Sequence, residues 1–179
     1  MKEHRGIPPQ ALALFVTQAR HGDKEAFEAL YYHFARPMTR YALIRVNDPM
    51  LAEDLVQNVW VKVEKRLHRL QDISLFQSWL YRALRWEILD WAKSRRPHEE
   101  SHEHCESAND IQLRHLPALL AALNETEQEV VGLVYLNGLS VEEAALALSI
   151  PAGTVKSRLS RARDVLRNTM YEELTHETG

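Results

Sequence analysis

The sequence predicts an all-α fold made of two small helical domains. Glycine and proline are scarce, at 6 and 7 of 179 residues. Apolar residues recur at three- and four-residue spacing along most of the chain, and alternating β-branched stretches are almost absent. A polar, acidic tract interrupts this periodicity past the middle and divides the chain in two. With 45% hydrophobic residues, each part has apolar surface enough for a core of its own.

After Pro8-Pro9 a helix is expected from Gln10 to about Arg20, and His21-Gly22-Asp23 reads as a stop followed by an N-cap. The second helix carries Ala26, Phe27, Leu30, Tyr31 and Phe34 on one side. Pro37 is expected to bend or interrupt it before it continues to about Val46. Asp48 caps a third helix with Pro49 at its first position. Along it Leu51, Leu55, Val59, Val63 and Leu67 form an apolar stripe, which leaves Glu53, Asp54, Gln57, Asn58 and Lys65 outside. Ser74-Leu75-Phe76-Gln77 has the form of a capping box. It opens a fourth helix with Trp79, Leu80, Ala83 and Leu84, ending in Lys93-Ser94-Arg95-Arg96 before Pro97. Residues 10–97 are thus the first domain.

Residues 98–111 have the composition of a flexible acidic linker. The second domain, 112–174, begins with a helix from Gln112 to Leu123. Asn124, with Glu127 three residues on, caps another, which Asn137-Gly138 stops. Ser140 and Glu143 make a capping box for a short helix, Glu142 to Leu148, and after Ser149-Ile150-Pro151 a last helix runs from Ala152 to about Leu174.

A net charge of -3 speaks against a nucleic-acid binder only as an average. Between His98 and Asp110 the charged side chains are Glu99, Glu100, Glu103, Glu106 and Asp110, whereas Lys156, Arg158, Arg161, Arg163 and Arg167 face Asp164 alone. One cysteine, Cys105, excludes an internal disulfide and fits a reducing cytoplasm. The polar N-terminus lacks an apolar signal region, and no stretch reaches the ~20 apolar residues of a membrane span, so a cytoplasmic protein without direct membrane insertion is expected. His102, His104 and Cys105 are ligand types that suit zinc, but an acidic His-rich tract binds metal weakly without a role, and no metal or other cofactor is assigned.

The chemistry concentrates in residues 139–163. A short capped helix, a tight turn and a second helix with Val155, Leu159, Ala162 and Leu166 on its core side read as a helix-turn-helix, and small Ala144 and Ala145 permit close approach. The exposed side is then Lys156, Ser157, Ser160, Arg161 and Arg163. A helix of this diameter fits the major groove, where cations neutralise phosphates and an arginine can chelate a guanine edge. The bland alternative is a solvated basic face on a helical hairpin.

These residues carry a family resemblance. Gly138-Leu139-Ser140, Glu143, Ala145, Ile150-Pro151, Gly153-Thr154-Val155-Lys156-Ser157-Arg158-Leu159 and Arg161-Ala162-Arg163 follow the order of the fourth conserved region of extracytoplasmic-function sigma factors. Gly22-Asp23, Ala26-Phe27, Leu30-Tyr31, Ala52-Glu53-Asp54-Leu55-Val56-Gln57, Val59-Trp60, Phe76 and Trp79-Leu80-Tyr81 follow the second region. The chain resembles that family over roughly residues 10–170.

The resemblance implies a non-catalytic factor that carries RNA polymerase core to promoters and helps open them, restrained by an anti-sigma factor. It implies that Glu53, Asp54 and Gln57 dock on the clamp helices of the largest polymerase subunit, with the flap as a further contact. Thr154, Lys156, Ser157, Arg158, Ser160, Arg161 and Arg163 would read the minus-thirty-five element. The loop from Leu70 to Leu75 and the helix from Phe76 to Arg96 would capture the unpaired minus-ten strand, with Arg82, Arg85, Trp86, Asp90, Lys93, Arg95 and Arg96 as contacts. Unpairing costs a few kcal/mol, offset by pocket contacts, stacking and phosphate neutralisation rather than by nucleotide hydrolysis. The acidic linker would thread the RNA exit channel.

Two positions depart from the family pattern. Trp86 stands where the family usually has Asn and has no acceptor for reading base edges; stacking on a base and membership of the core are both open for it. Glu127-Gln128 stands where a basic residue is common, so a weaker minus-thirty-five contact is expected.

Two other functional classes fit the residues less well. A dimeric helix-turn-helix regulator would need a sensing N-terminal half, for which no ligand pocket or phosphoacceptor pattern is legible. A helical hydrolase is the other, but the sequence has no His-Glu-x-x-His spacing, no phosphate-cradling glycine loop and no Ser or Cys nucleophile with a plausible partner, and no small-molecule substrate is expected.

Overall fold

The computed structural model describes residues 7–94 and 116–176. Among these, all regular structure is helical, and no helix is long and apolar enough to cross a membrane. The chain falls into two compact units, Met1–His104 and Cys105–Gly179.

The first unit contains α1 (Pro9–Arg20), α2 (Lys24–Val46), α3 (Pro49–Arg66) and α4 (Phe76–Ser94), with single 3-10 turns at Leu67–Arg69 and Ile73–Leu75. Helix α2 is central and packs on α1, α3 and α4. Asp23 accepts from the Ala26 N–H at 3.0 Å and Asp48 from the Leu51 N–H at 3.1 Å, so each cap satisfies one of the donors a helix start leaves open. Left-handed Asn47, at φ 52°, turns the chain between α2 and α3.

Of the bend or interruption expected at Pro37, the interruption does not occur, since α2 runs unbroken from Lys24 to Val46. An interior proline forfeits a hydrogen bond and costs about 3 kcal/mol in isolation. Here Leu30 and Phe34 before it, and Met38, Tyr41 and Ala42 after it, are all buried, so core packing on both sides holds the helix together. The capping box expected at Ser74 is also revised. The acid that caps is Asp72, which takes the Ser74 N–H at 2.9 Å and the Ser74 hydroxyl at 2.6 Å, and a 3-10 turn leads into α4.

Aromatic pairs fix the helix register. Phe34 meets Phe76 at 5.8 Å between α2 and α4, Tyr41 meets Tyr81 at 5.8 Å edge to face, and Trp60 on α3 is flanked by Phe27 and Tyr31 at 5.6 and 5.5 Å. Burial, reinforced by Tyr41, pushes the Tyr81 phenol far above its usual range, so it serves as a protonated core group.

The second unit contains α5 (Leu116–Ala121), α6 (Glu125–Val131), α7 (Val141–Leu148) and α8 (Ala152–His176). Helix α6 and α7 both pack on α8. The residues expected to start the first helix of this unit, 112–115, lie outside the described residues. Asn124 with Glu127 and Ser140 with Glu143 form complete reciprocal capping boxes. After α6 the chain makes one π-helical turn, Gly132–Leu136. The Asn137 amide donates to the Gly132 carbonyl at 2.5 Å and Gly138 takes a φ of +70°, which ends the helix where the sequence placed its stop.

Candidate nucleic-acid and polymerase interfaces

The α7–α8 pair has the geometry of a helix-turn-helix. Ser149 closes α7 in the left-handed region at φ 57°. Its N–H reaches the Leu146 carbonyl at 3.3 Å, and the Ile150 N–H reaches Ala145 at 3.1 Å. The Pro151 carbonyl then accepts from Thr154 and Val155 at 2.9 and 3.2 Å and starts α8. Ala144, Ala145, Ala147 and Leu148 are buried against Val155, Leu159 and Ala162, the side expected to face inward; Leu166, expected with them, is half-buried.

That packing fixes which side of α8 meets solvent. Lys156, Ser157, Ser160, Arg161 and Arg163 are exposed, and Thr154 and Arg158 are half-buried. No acid occurs between Lys156 and Arg163, while Arg167 is held by Asp164 in an ion pair. The Ser157 hydroxyl donates to the Thr154 carbonyl at 3.0 Å, so what it offers a ligand is chiefly its acceptor lone pairs. The outward face is thus a broad cationic arc at the N-terminal end of the helix, with Lys156 and Arg163 towards one edge and Arg161 towards the other, suited to phosphates and base edges.

Glu127 and Gln128 are committed elsewhere. The Glu127 carboxylate closes the cap by accepting from the Asn124 N–H at 3.1 Å, and the Gln128 amide donates to the Leu120 and Leu123 carbonyls at 2.8 and 3.1 Å. Both residues build the α5–α6 joint.

In the first unit, α3 presents Glu53, Asp54, Gln57 and Asn58 to solvent, as the stripe predicted. The row continues into two residues not singled out from the sequence, Met50 at 76% exposure and Val61 at 52%. Met50 precedes Asp54 and Val61 follows Gln57 by four residues each, a spacing along one face that was a legible signal. An acidic, amide-bearing row ending in exposed apolar groups suits a protein partner better than a nucleic acid.

Helix α4 settles the position of Trp86, which is 51% exposed and outside the core. It shares a face with Trp79, Asp90 and Lys93; Asp90 and Lys93 are exposed, and Trp79 is half-buried beside Phe76 at a ring distance of 6.3 Å. Arg82 and Arg85, expected as free cations, are half-buried and already engaged in interactions of their own. Arg95 and Arg96, and with them His102, His104 and Cys105, lie outside the described residues. Among the described residues no cluster of His, Cys, Asp and Glu is arranged to hold a metal ion. Glu87, beside Trp86, pairs with Lys62 and ties α4 to α3.

The loop between α3 and α4 is held from a helix that sequence reasoning left out of the site. Arg20 Nη1, at the end of α1, donates to the Leu70 carbonyl at 3.0 Å. No local sequence signal foretells a contact across 50 residues.

Comparison with known proteins places both units. The family models described as "Sigma-70 region 2" and "Sigma-70, region 4" match residues 30–98 and 113–166. The chain is 31% identical over 157 residues to the RNA polymerase sigma-E factor of Streptomyces avermitilis, covering 84% of this chain and 88% of that protein. It is 29% identical over 171 residues to the ECF RNA polymerase sigma factor SigL of Mycobacterium tuberculosis, covering 88% and 96%. Its fold is like that of the sigma factor RpoE solved in complex with the anti-sigma factor NepR from Bartonella quintana. There the TM-score is 0.69 at 24% identity, over 82% of this chain and 98% of that one.

Proposed function

Because the chain belongs to the RNA polymerase sigma factors, in their extracytoplasmic-function group, it directs core polymerase to specific promoters, and we propose a division of that work between its two units. The first domain, residues 10–97 within the first unit, docks on core through the α3 row of Glu53, Asp54 and Gln57, with Met50 and Val61 at its ends, against the clamp helices of the largest subunit. The same unit captures the unpaired minus-ten strand on α4 and the loop before it. The second domain, residues 112–174 within the second unit, grips the minus-thirty-five duplex through Lys156, Ser160, Arg161 and Arg163, with the polymerase flap as a further contact and residues 98–111 as the linker.

Neither unit supplies catalysis; polymerisation belongs to core. What drives opening is binding energy. A base flipped from the stack costs a few kcal/mol, and stacking on an exposed indole returns about 1 to 3 kcal/mol per base. The exposure of Trp86 supports that role for it, which would replace hydrogen-bond reading of the base edge by a sequence-tolerant contact. The proposed minus-ten preference is accordingly broad. An anti-sigma factor is the proposed restraint, in keeping with the complex known for a protein of like fold. The place of action is the cytoplasm, where polymerase and promoter DNA meet.

The observation that carries the reading is the α8 face, where one side is closed into the core and the other exposes an acid-free cationic arc. Run-off transcription with bacterial core on a genomic promoter library tests it. Specific transcripts are expected only when chain and core are combined. Stable, specific binding of the chain alone to a palindromic duplex in a gel shift, with no dependence on core, refutes it in favour of a dimeric regulator.

A further inference from the structure

The loop that joins α3 to α4 is fixed at three points. Leu67 is buried to 2% exposure at its start. Asp72 clamps the Ser74 N–H and hydroxyl at 2.9 and 2.6 Å near its end, and those hydrogen bonds hold the Asp72 carboxyl below the usual carboxylate range. Between them, the Leu70 carbonyl takes its hydrogen bond from Arg20 of α1 at 3.0 Å. Helix α1 also packs against both 3-10 turns of the loop. The consequence is a surface of Gln71, Asp72, Ser74 and Leu75, all exposed, displayed from a frame that α1 keeps in one shape.

We propose that Arg20 is a positioning residue for promoter opening, which touches no DNA itself and holds the Leu70–Leu75 loop in the form that receives the unpaired strand. This rests on the minus-ten role given to that loop above. The physical reason is pre-organisation. A carbonyl bonded by a partly buried guanidinium is held in direction as well as place, so the entropy of ordering the loop is lost in folding rather than on strand capture. A carbonyl left without its donor would let the middle of the loop move, although Leu67 and Asp72 keep the ends.

The test compares full-length Arg20→Met and Arg20→Lys, each assembled with core, with a direct loop variant, Gln71→Ala with Leu75→Ala. The Arg20→Met holoenzyme is expected to open a duplex promoter about tenfold more slowly, by permanganate reactivity of unpaired thymines, as befits loss of one charge-assisted hydrogen bond. Affinity for core and the dependence of promoter binding on salt stay as in the parent chain. Hydrogen exchange rises at Leu70 to Leu75 and stays low in the core of α4. Arg20→Lys, which keeps a donor, recovers part of the rate, and it carries the test if Arg20→Met does not fold. Opening at the parent rate in Arg20→Met overturns the proposal, as does weakened core binding. A salt dependence lowered by about one phosphate contact overturns it too, because Arg20 would then touch DNA directly. Normal opening by the Gln71→Ala, Leu75→Ala variant overturns the minus-ten reading of the loop and the proposal with it; slow opening there with normal opening in Arg20→Met overturns the positioning role alone.

Discussion

Replacing Lys156 and Arg161 together by alanine is expected to remove two separate phosphate contacts without disturbing the fold. Both side chains are exposed, and the buried side of α8 is made of Val155, Leu159 and Ala162, which the change leaves alone. Five residues apart, they are separated by about 7.5 Å along the helix axis and by about 140° around it, so each meets a phosphate of its own. Each neutralised phosphate contributes about 0.9 to the slope of log affinity against log salt, so the double variant lowers that slope by about 1.8. At ~0.15 M salt this is about 1.5 decades of affinity, or ~2 kcal/mol, and more if Arg161 chelates a guanine. The assay is equilibrium binding of holoenzyme to promoter DNA over a salt series, beside a measurement of affinity for core. An unchanged slope, or a parallel loss of core affinity, would refute the assignment of this arc to the duplex.

Trp86→Ala should cost about 1 to 2 kcal/mol of stability, since about half of the residue is covered, and the folded variant should capture a single-stranded minus-ten oligonucleotide about 1 to 3 kcal/mol more weakly in fluorescence titration. Unchanged capture by the folded variant would remove the indole from strand binding. Ser140→Ala removes one half of the α7 capping box and should cost about 1 kcal/mol in denaturant unfolding of the second unit, with the first unit unaffected. His33 accepts the Ile7 N–H at 2.9 Å, and burial holds its pKa below 6.5. On acidification the unfolded chain therefore takes up this proton first. Stability is retained above about pH 6.5 and falls as pH drops from there towards the folded-state pKa. A His33→Gln variant should show a shallower fall in Tm between about pH 7 and pH 5; an identical pH dependence in both chains would place the effect elsewhere.

Much of the fold was legible because short-range rules decide it. The caps at Asp48, Asn124 and Ser140 are each settled within three residues of sequence, where a side-chain oxygen meets an open N–H. The stripe on α3 and the inward side of α8 follow from helical periodicity, and the outward residues Asp54, Gln57, Lys156 and Arg161 follow as their complements. Where two local signals competed, the outcome was less legible: Ser74 and Asp72 both suit a cap, and Asp72 was chosen by the 3-10 turn that brings its carboxylate over Ser74.

By itself, then, the sequence determined the helices, their capped starts and the sides they turn outward, because each of these is an energy balance struck over a few neighbouring residues. Tertiary structure alone decided the rest. Packing on both sides carried α2 unbroken through Pro37, left Arg82 and Arg85 half-buried and Trp86 about half exposed, and brought Arg20 to a carbonyl 50 residues away. Those outcomes depend on which surfaces compete for the same core, and that competition is settled only when the helices meet.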